Sequence, residues 1–103
     1  MEEKEKVLNE LRIYQQQLQS LTIQKESLKL RKIEIENALE ELKNTKQNSA
    51  YKISGNIMIL KPIEELKKEL EGEVSEIDLR LKSLEKAEEK IVNKLKELQK
   101  VVK

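Results

Sequence analysis

Tyr51-Lys52-Ile53-Ser54-Gly55-Asn56-Ile57-Met58-Ile59-Leu60-Lys61-Pro62 departs from the helical character of everything around it in this 103-residue chain. β-Formers flank Ser54-Gly55-Asn56 on both sides, and Gly and Asn tolerate the positive φ of a tight hairpin. Pro62 has no N–H to donate and restricts Lys61, so it suits the position that leads into a helix. Residues 48–62 therefore predict a β-hairpin. Within it, Ile57-Met58-Ile59-Leu60 is an uninterrupted apolar run, so both faces of that strand need burial.

On either side of the hairpin the chain repeats every seven residues. Val7, Tyr14, Leu21, Leu28, Ile35 and Leu42 precede it, and Ile63, Leu70, Ile77, Leu84, Ile91 and Leu98 follow it. All twelve are apolar in a chain that is 37% apolar, which chance would give about once in 10⁵, and a seven-residue repeat is what a coiled-coil seam requires. Ser49 and Asn56 break the series at the hairpin. A second column stands four residues on: Leu11, Leu18, Lys25, Lys32 and Leu39, then Val74, Leu81, Glu88, Leu95 and Val102. Lys25, Lys32 and Glu88 interrupt it, either as lysines snorkelling at the seam edge or as charges that fix register.

The expected fold is mainly α, an antiparallel two-helix coiled coil with one central β-hairpin. A single domain covers residues 1–103, with a helix over about 3–46, the hairpin at 48–62 and a second helix over about 63–101. A chain that returns directly through the hairpin sets Leu42 opposite Ile63 and Leu28 opposite Ile77, with both termini at one tip.

Composition excludes several functions. Charged residues are 40% of the chain, with 21 basic against 20 acidic, and the aromatics are two tyrosines. Balanced charge and missing stacking platforms argue against nucleic acid. No apolar run approaches the ~18 residues of a membrane span, and the charged start Glu2-Glu3-Lys4-Glu5-Lys6 lacks a signal-type core, so a cytoplasmic protein is expected. With no His and no Cys, the usual catalytic bases, nucleophiles and transition-metal ligands are missing, and the carboxylates sit among lysines on solvated helix faces. No enzyme activity, cofactor or metal is expected.

Two surfaces remain as candidates. The hairpin cannot bury both faces of its second strand within one chain, and an isolated two-stranded hairpin is marginal in water. It is expected to join edge to edge with hairpins of other subunits into a larger sheet or barrel; a local cap on the helical pair is the competing reading. Near the termini, Leu8, Ile13, Val92 and Val101 spill off the seam, leaving apolar surface at the tip, although ordinary packing with frayed ends accounts for the same pattern.

The hairpin Tyr51-Lys52-Ile53-Ser54-Gly55-Asn56-Ile57-Met58-Ile59, with Gln15-Gln16-Gln17-Leu18-Gln19 and Ala38-Leu39-Glu40-Glu41-Leu42 in the first helix, resembles the β-type subunits of the prefoldin family. One hairpin favours the β class over the α class, which carries two. The resemblance implies a chaperone heterohexamer of two α-type and four β-type subunits, with hairpins building a double β-barrel body and coiled coils projecting from it. It implies an ATP-independent holdase that holds unfolded polypeptides between the coiled-coil tips and passes them to a group II chaperonin. The implied oligomerisation residues are Tyr51, Ile53, Ile57, Met58, Ile59 and Leu60. The implied polypeptide-binding residues are Val7, Leu8, Leu11, Leu95, Leu98, Val101 and Val102. A structural coiled-coil spacer that binds one native partner is the alternative.

Overall fold

The computed structural model describes residues 2–102, with the backbone alone at Val102. The element order is α1 (Glu2–Asn44), β1 (Ser49–Ser54), β2 (Ile57–Pro62) and α2 (Ile63–Val102). Two long helices and an antiparallel hairpin make this the mainly α fold that the seven-residue repeat predicts. α1 contains no Gly or Pro and is built largely from Glu, Lys, Leu and Gln, all good helix formers. Glu2, Glu3 and Glu5 in its first turn and Lys43 in its last complement the helix dipole; Glu64, Glu65 and Lys100 do the same for α2.

α1 stops at Asn44, slightly short of the expected Lys46. The Gln47 backbone N–H donates to Thr45 Oγ1 at 3.3 Å, a local bond of the kind that offers the backbone an alternative to helix. Residues 45–48 thus form a non-helical link before β1, whereas α2 starts directly after β2.

The chain divides into two compact units, Lys29–Leu79 and Met1–Leu28 with Arg80–Lys103. The first holds the hairpin and most of the buried residues: Ile35 at 2% exposure, Ile63, Leu66 and Ile77. Ile35, Ile63 and Ile77 belong to the seven-residue column, so the repeat does form the core. The Ile63 backbone N–H donates to Asn48 O at 2.9 Å and closes the base of the hairpin. Arg31 reaches Glu73 at 3.2 Å and Lys32 reaches Asp78 at 2.7 Å, linking the helices on the flanks of the seam. In the second unit Leu81 is the buried residue among those described. Its other seam residues, among them Tyr14, Leu21, Leu84 and Ile91, are only half-buried. Lys25 and Glu88 pair there at 2.8 Å, with Thr22 Oγ1 3.3 Å from Glu88 Oε2.

The helix register differs from that of a direct return. Direct return sets Lys32 against Glu73 and Thr22 against Ser83; the observed partners, Asp78 and Glu88, lie further along α2. The hairpin itself pairs Ser49 with Pro62. The helices carry that ladder register onward: Ser49–Pro62, Lys32–Asp78 and Thr22–Glu88 all centre close to the Gly55-Asn56 turn, whereas setting Leu42 against Ile63 places the centre of the return two to three residues too early. Arg31, with its long side chain, reaches back to Glu73.

Ile35→Ala should therefore cost about 2–5 kcal/mol in denaturant unfolding followed by helical circular dichroism. Leu30→Ala, at a residue 61% exposed, should stay within about 0.5 kcal/mol. Gly72 lies inside α2 with nothing within 4 Å of the Cβ position, so Gly72→Ala should stabilise by about 1 kcal/mol.

Candidate functional site

The antiparallel ladder pairs Tyr51 with Leu60, Lys52 with Ile59, Ile53 with Met58 and Ser54 with Ile57. Opposed residues share a face and alternate along each strand. One face therefore carries Tyr51, Ile53, Met58 and Leu60, and the other carries Ala50, Lys52, Ile57, Ile59 and Lys61. Gly55 turns the chain with φ 61°, and no other described residue has positive φ. Asn56 thus keeps an ordinary φ, the pattern of a type II′ turn with glycine first. The sequence allowed positive φ at both residues; the structure needs it at Gly55 alone.

None of the six predicted oligomerisation residues is buried. Tyr51, Ile53, Ile57, Met58, Ile59 and Leu60 are between 41% and 73% exposed. The sheet has two strands, so each strand also presents a free edge of backbone donors and acceptors. Burying a large apolar side chain is worth about 1.5–3 kcal/mol, and here several stand together on one face without cover.

The face bearing lysines is tied to α2. Lys52 Nζ lies 3.1 Å from Glu69 Oε2, and Lys61 Nζ lies 2.5 Å from Glu69 Oε1 and 3.8 Å from Glu65. Hydrogen bonds from Lys61 and Lys52 hold the Glu69 carboxyl below the usual carboxylate range, and the bond to Glu69 holds Lys61 above the ordinary lysine value. Sequence reading missed Glu69. Its signal was the alternation that puts Lys52 and Lys61 on one strand face, with Glu65 and Glu69 one turn apart on the following helix.

In the unit that holds both chain ends, Leu8 is 48% and Val101 69% exposed, while Val7, Leu11, Leu95 and Leu98 are half-buried. The side chain of Val102 lies outside the described residues. The polar seam positions are paired: hydrogen bonds to Glu88 and Asp78 raise the pKa of Lys25 and Lys32 respectively. A groove of about 500 Å³ runs along Glu36, Leu39, Glu40, Lys43, Lys67 and Glu71, a solvated face of mixed charge. Among the described residues no acidic cluster is arranged to hold a metal, and no helix is long and apolar enough to cross a membrane.

The profile of a family described as prefoldin subunit matches residues 5–103. The chain belongs to the prefoldin family. Prefoldin subunit beta of Thermococcus onnurineus is 36% identical over 93 residues, which cover 89% of this chain and 80% of that protein. Prefoldin subunit beta of Methanothrix thermoacetophila is 39% identical over 89% of this chain and 78% of its own length. The crystal structure of the prefoldin beta subunit from Thermococcus strain KS-1 matches with a TM-score of 0.87 at 31% identity, covering 97% of this chain and 89% of that one. Membership makes this a prefoldin-family chaperone subunit, of a kind that assembles with other prefoldin subunits.

The paired charges of this prefoldin-family chain set its pH response. Glu69 is more acidic folded than unfolded, so its pairing stabilises above the unfolded carboxylate range and is lost as pH falls through the depressed folded value. Lys25, Lys32 and Lys61 are raised from 10.5; their contribution is complete below that value and is lost as pH rises through the folded ones. Helical melting temperatures should be level near neutrality and fall below about pH 4 and above about pH 10.5. Glu69→Gln should lessen the fall on the acid side without abolishing it, because the pairs of Lys25 with Glu88 and Lys32 with Asp78 remain.

Proposed function

We propose that this chain is an ATP-independent holdase subunit. Its hairpin joins those of α-type prefoldin subunits and of further copies of itself, as two α-type and four β-type subunits, to form a β-barrel body. Unfolded polypeptides are held by Val7, Leu8, Leu11, Leu95, Leu98, Val101 and Val102 and passed to a group II chaperonin in the cytoplasm. The observation that carries this reading is the hairpin: an apolar face of Tyr51, Ile53, Met58 and Leu60, all exposed, on a sheet with two free edges. Such a surface is completed by strand pairing and burial against like surfaces.

Client binding then rests on many weak apolar contacts made at once. Each subunit contributes a few side chains that are half-buried or exposed, and several subunits in one assembly raise the effective concentration of the second and later contacts. No nucleotide enters this scheme, since the energetic exchange is apolar surface against apolar surface. A rigid spacer, the alternative reading, fits less well with a terminal unit whose seam residues are mostly half-buried.

The purified chain mixed with its α-type partner should give a heterohexamer in native mass spectrometry. That complex should suppress aggregation of a denatured test protein without nucleotide. Replacing Leu8, Leu11, Leu98 and Val101 by Ser should leave the hexamer intact and reduce suppression about tenfold, through lost avidity. Unchanged suppression would refute the client surface, and a monomer or simple dimer in the presence of partner would refute the assembly.

A further inference from the structure

The hairpin has no core of its own. No residue of β1 or β2 is buried, and the backbone bond from Ile63 to Asn48 fixes only its base. Yet for its apolar face to meet a neighbour, a two-stranded ribbon must be held at a set angle to the helix beneath it. A ribbon hinged at its base alone would sample many angles, and each must be given up on assembly.

The three-charge cluster supplies the missing constraint. Ala50 opposes Lys61 and Lys52 opposes Ile59, so Lys52 and Lys61 are diagonal neighbours on one face, roughly 7–8 Å apart at their Cα atoms. Two ammonium groups in that relation repel. Glu69 of α2 accepts from both, one on each carboxylate oxygen. One acid thereby gathers both strands against the helix. Lys52 belongs to the fourth of the six ladder pairs counted from the base, well out along the ribbon, where a tether limits angle far better than the base can. Glu65 reaches Lys61 alone.

We propose that Glu69 is a positioning residue for assembly, holding Lys52 of β1 and Lys61 of β2 against α2 so that Tyr51, Ile53, Met58 and Leu60 face the neighbouring subunits. This rests on the hairpin being the assembly surface and names what controls it. Removing the acid does two things: it frees the ribbon, and it leaves the two lysines repelling each other on the face that should lie against α2. The apolar face keeps its composition, but its orientation is no longer set.

The test measures assembly with the α-type partner by native mass spectrometry across a concentration series, alongside amide hydrogen exchange of the unassembled chain. Glu69→Gln, which breaks two part-exposed pairs, should raise the concentration for half-assembly by about three- to tenfold and speed exchange across residues 49–62, with helical circular dichroism unchanged. Lys52→Gln, which leaves α2 untouched, should act in the same direction. Glu65→Gln should stay within about twofold of the unaltered chain. Exchanging the charges, Glu69→Lys with Lys52→Glu and Lys61→Glu in the Glu65→Gln background, should restore most of the assembly; a loss caused only by altered packing of residue 69 would not be restored. Assembly of Glu69→Gln and Lys52→Gln at the unaltered concentration overturns the positioning role while leaving the hairpin surface standing. Failure of the unaltered chain to assemble overturns the hairpin surface itself, and the positioning role with it.

Discussion

The packing of this chain depends on a seam one side chain wide. Two helices laid together offer each residue neighbours on one side only, so full burial is reached at few places: Ile35, Ile63, Leu66 and Ile77 in one unit and Leu81 in the other. With two aromatic residues in 103, there is nothing larger to widen the core. Charges take up the flanks. Arg31–Glu73, Lys32–Asp78 and Lys25–Glu88 stand on the flanks of the seam and link α1 to α2. Apolar contact holds the helices together without saying how far one slides along the other; the hairpin ladder supplies that register, and the charge pairs fit it to within a turn or so.

A seam this narrow has no capacity left for the hairpin. The strands lie beyond it, so their apolar residues find no interior in their own chain. The hairpin answers with a division between its faces. The face with Lys52 and Lys61 is tied to α2 through Glu69, while the face with Tyr51, Ile53, Met58 and Leu60 carries no charge and stays open. Had both faces been apolar, the ribbon would have had two equivalent ways to lie down on its own helices. The lysines remove that choice, since burying either without a carboxylate costs far more than leaving an isoleucine in water.

Much of this was legible in the residues. The twelve apolar sevenths give both helices, and the Gly55-Asn56 turn with Pro62 gives the hairpin and the start of α2. What the sequence did not yield was the consequence of connections. The link 45–48 looks like a continuation of α1, yet the Thr45 side chain bonds to Gln47 and the helix ends early; the partners of Lys32 and Thr22 follow the register of the hairpin ladder and not that of a return at Leu42–Ile63. Lys25, Lys32 and Glu88 read as interruptions of a seam; only the register shows that Lys25 and Glu88 answer each other, and that Lys32 is answered by Asp78. Glu69 was hidden for the same reason, because its meaning depends on which strand face turns toward α2. Pattern along one element is readable from residues; pairing between elements needs the register of the turn that joins them.

The unevenness of burial along the seam bears on how an apolar surface can serve as a receptor. A side chain fully packed against its own chain must first be stripped from that partner before meeting a client, at about the cost of the contact it gains. In the proposed client surface, Val7, Leu11, Leu95 and Leu98 are half-buried, so turning outward would cost them less than it would cost a fully buried side chain. Elements with few buried contacts open at low free energy, and the helical backbone, which needs no tertiary partner for its hydrogen bonds, survives the change. In the unit containing the hairpin, Ile63 and Leu66, on the turns of α2 that precede Glu69, are buried, while Leu39, Leu42, Leu70 and Val74 are half-buried. Burial is thus deepest at Ile35, Ile63, Leu66 and Ile77 in the hairpin unit, where the proposed assembly surface needs a fixed base, and partial at Val7, Leu11, Leu95 and Leu98, which are proposed to meet clients.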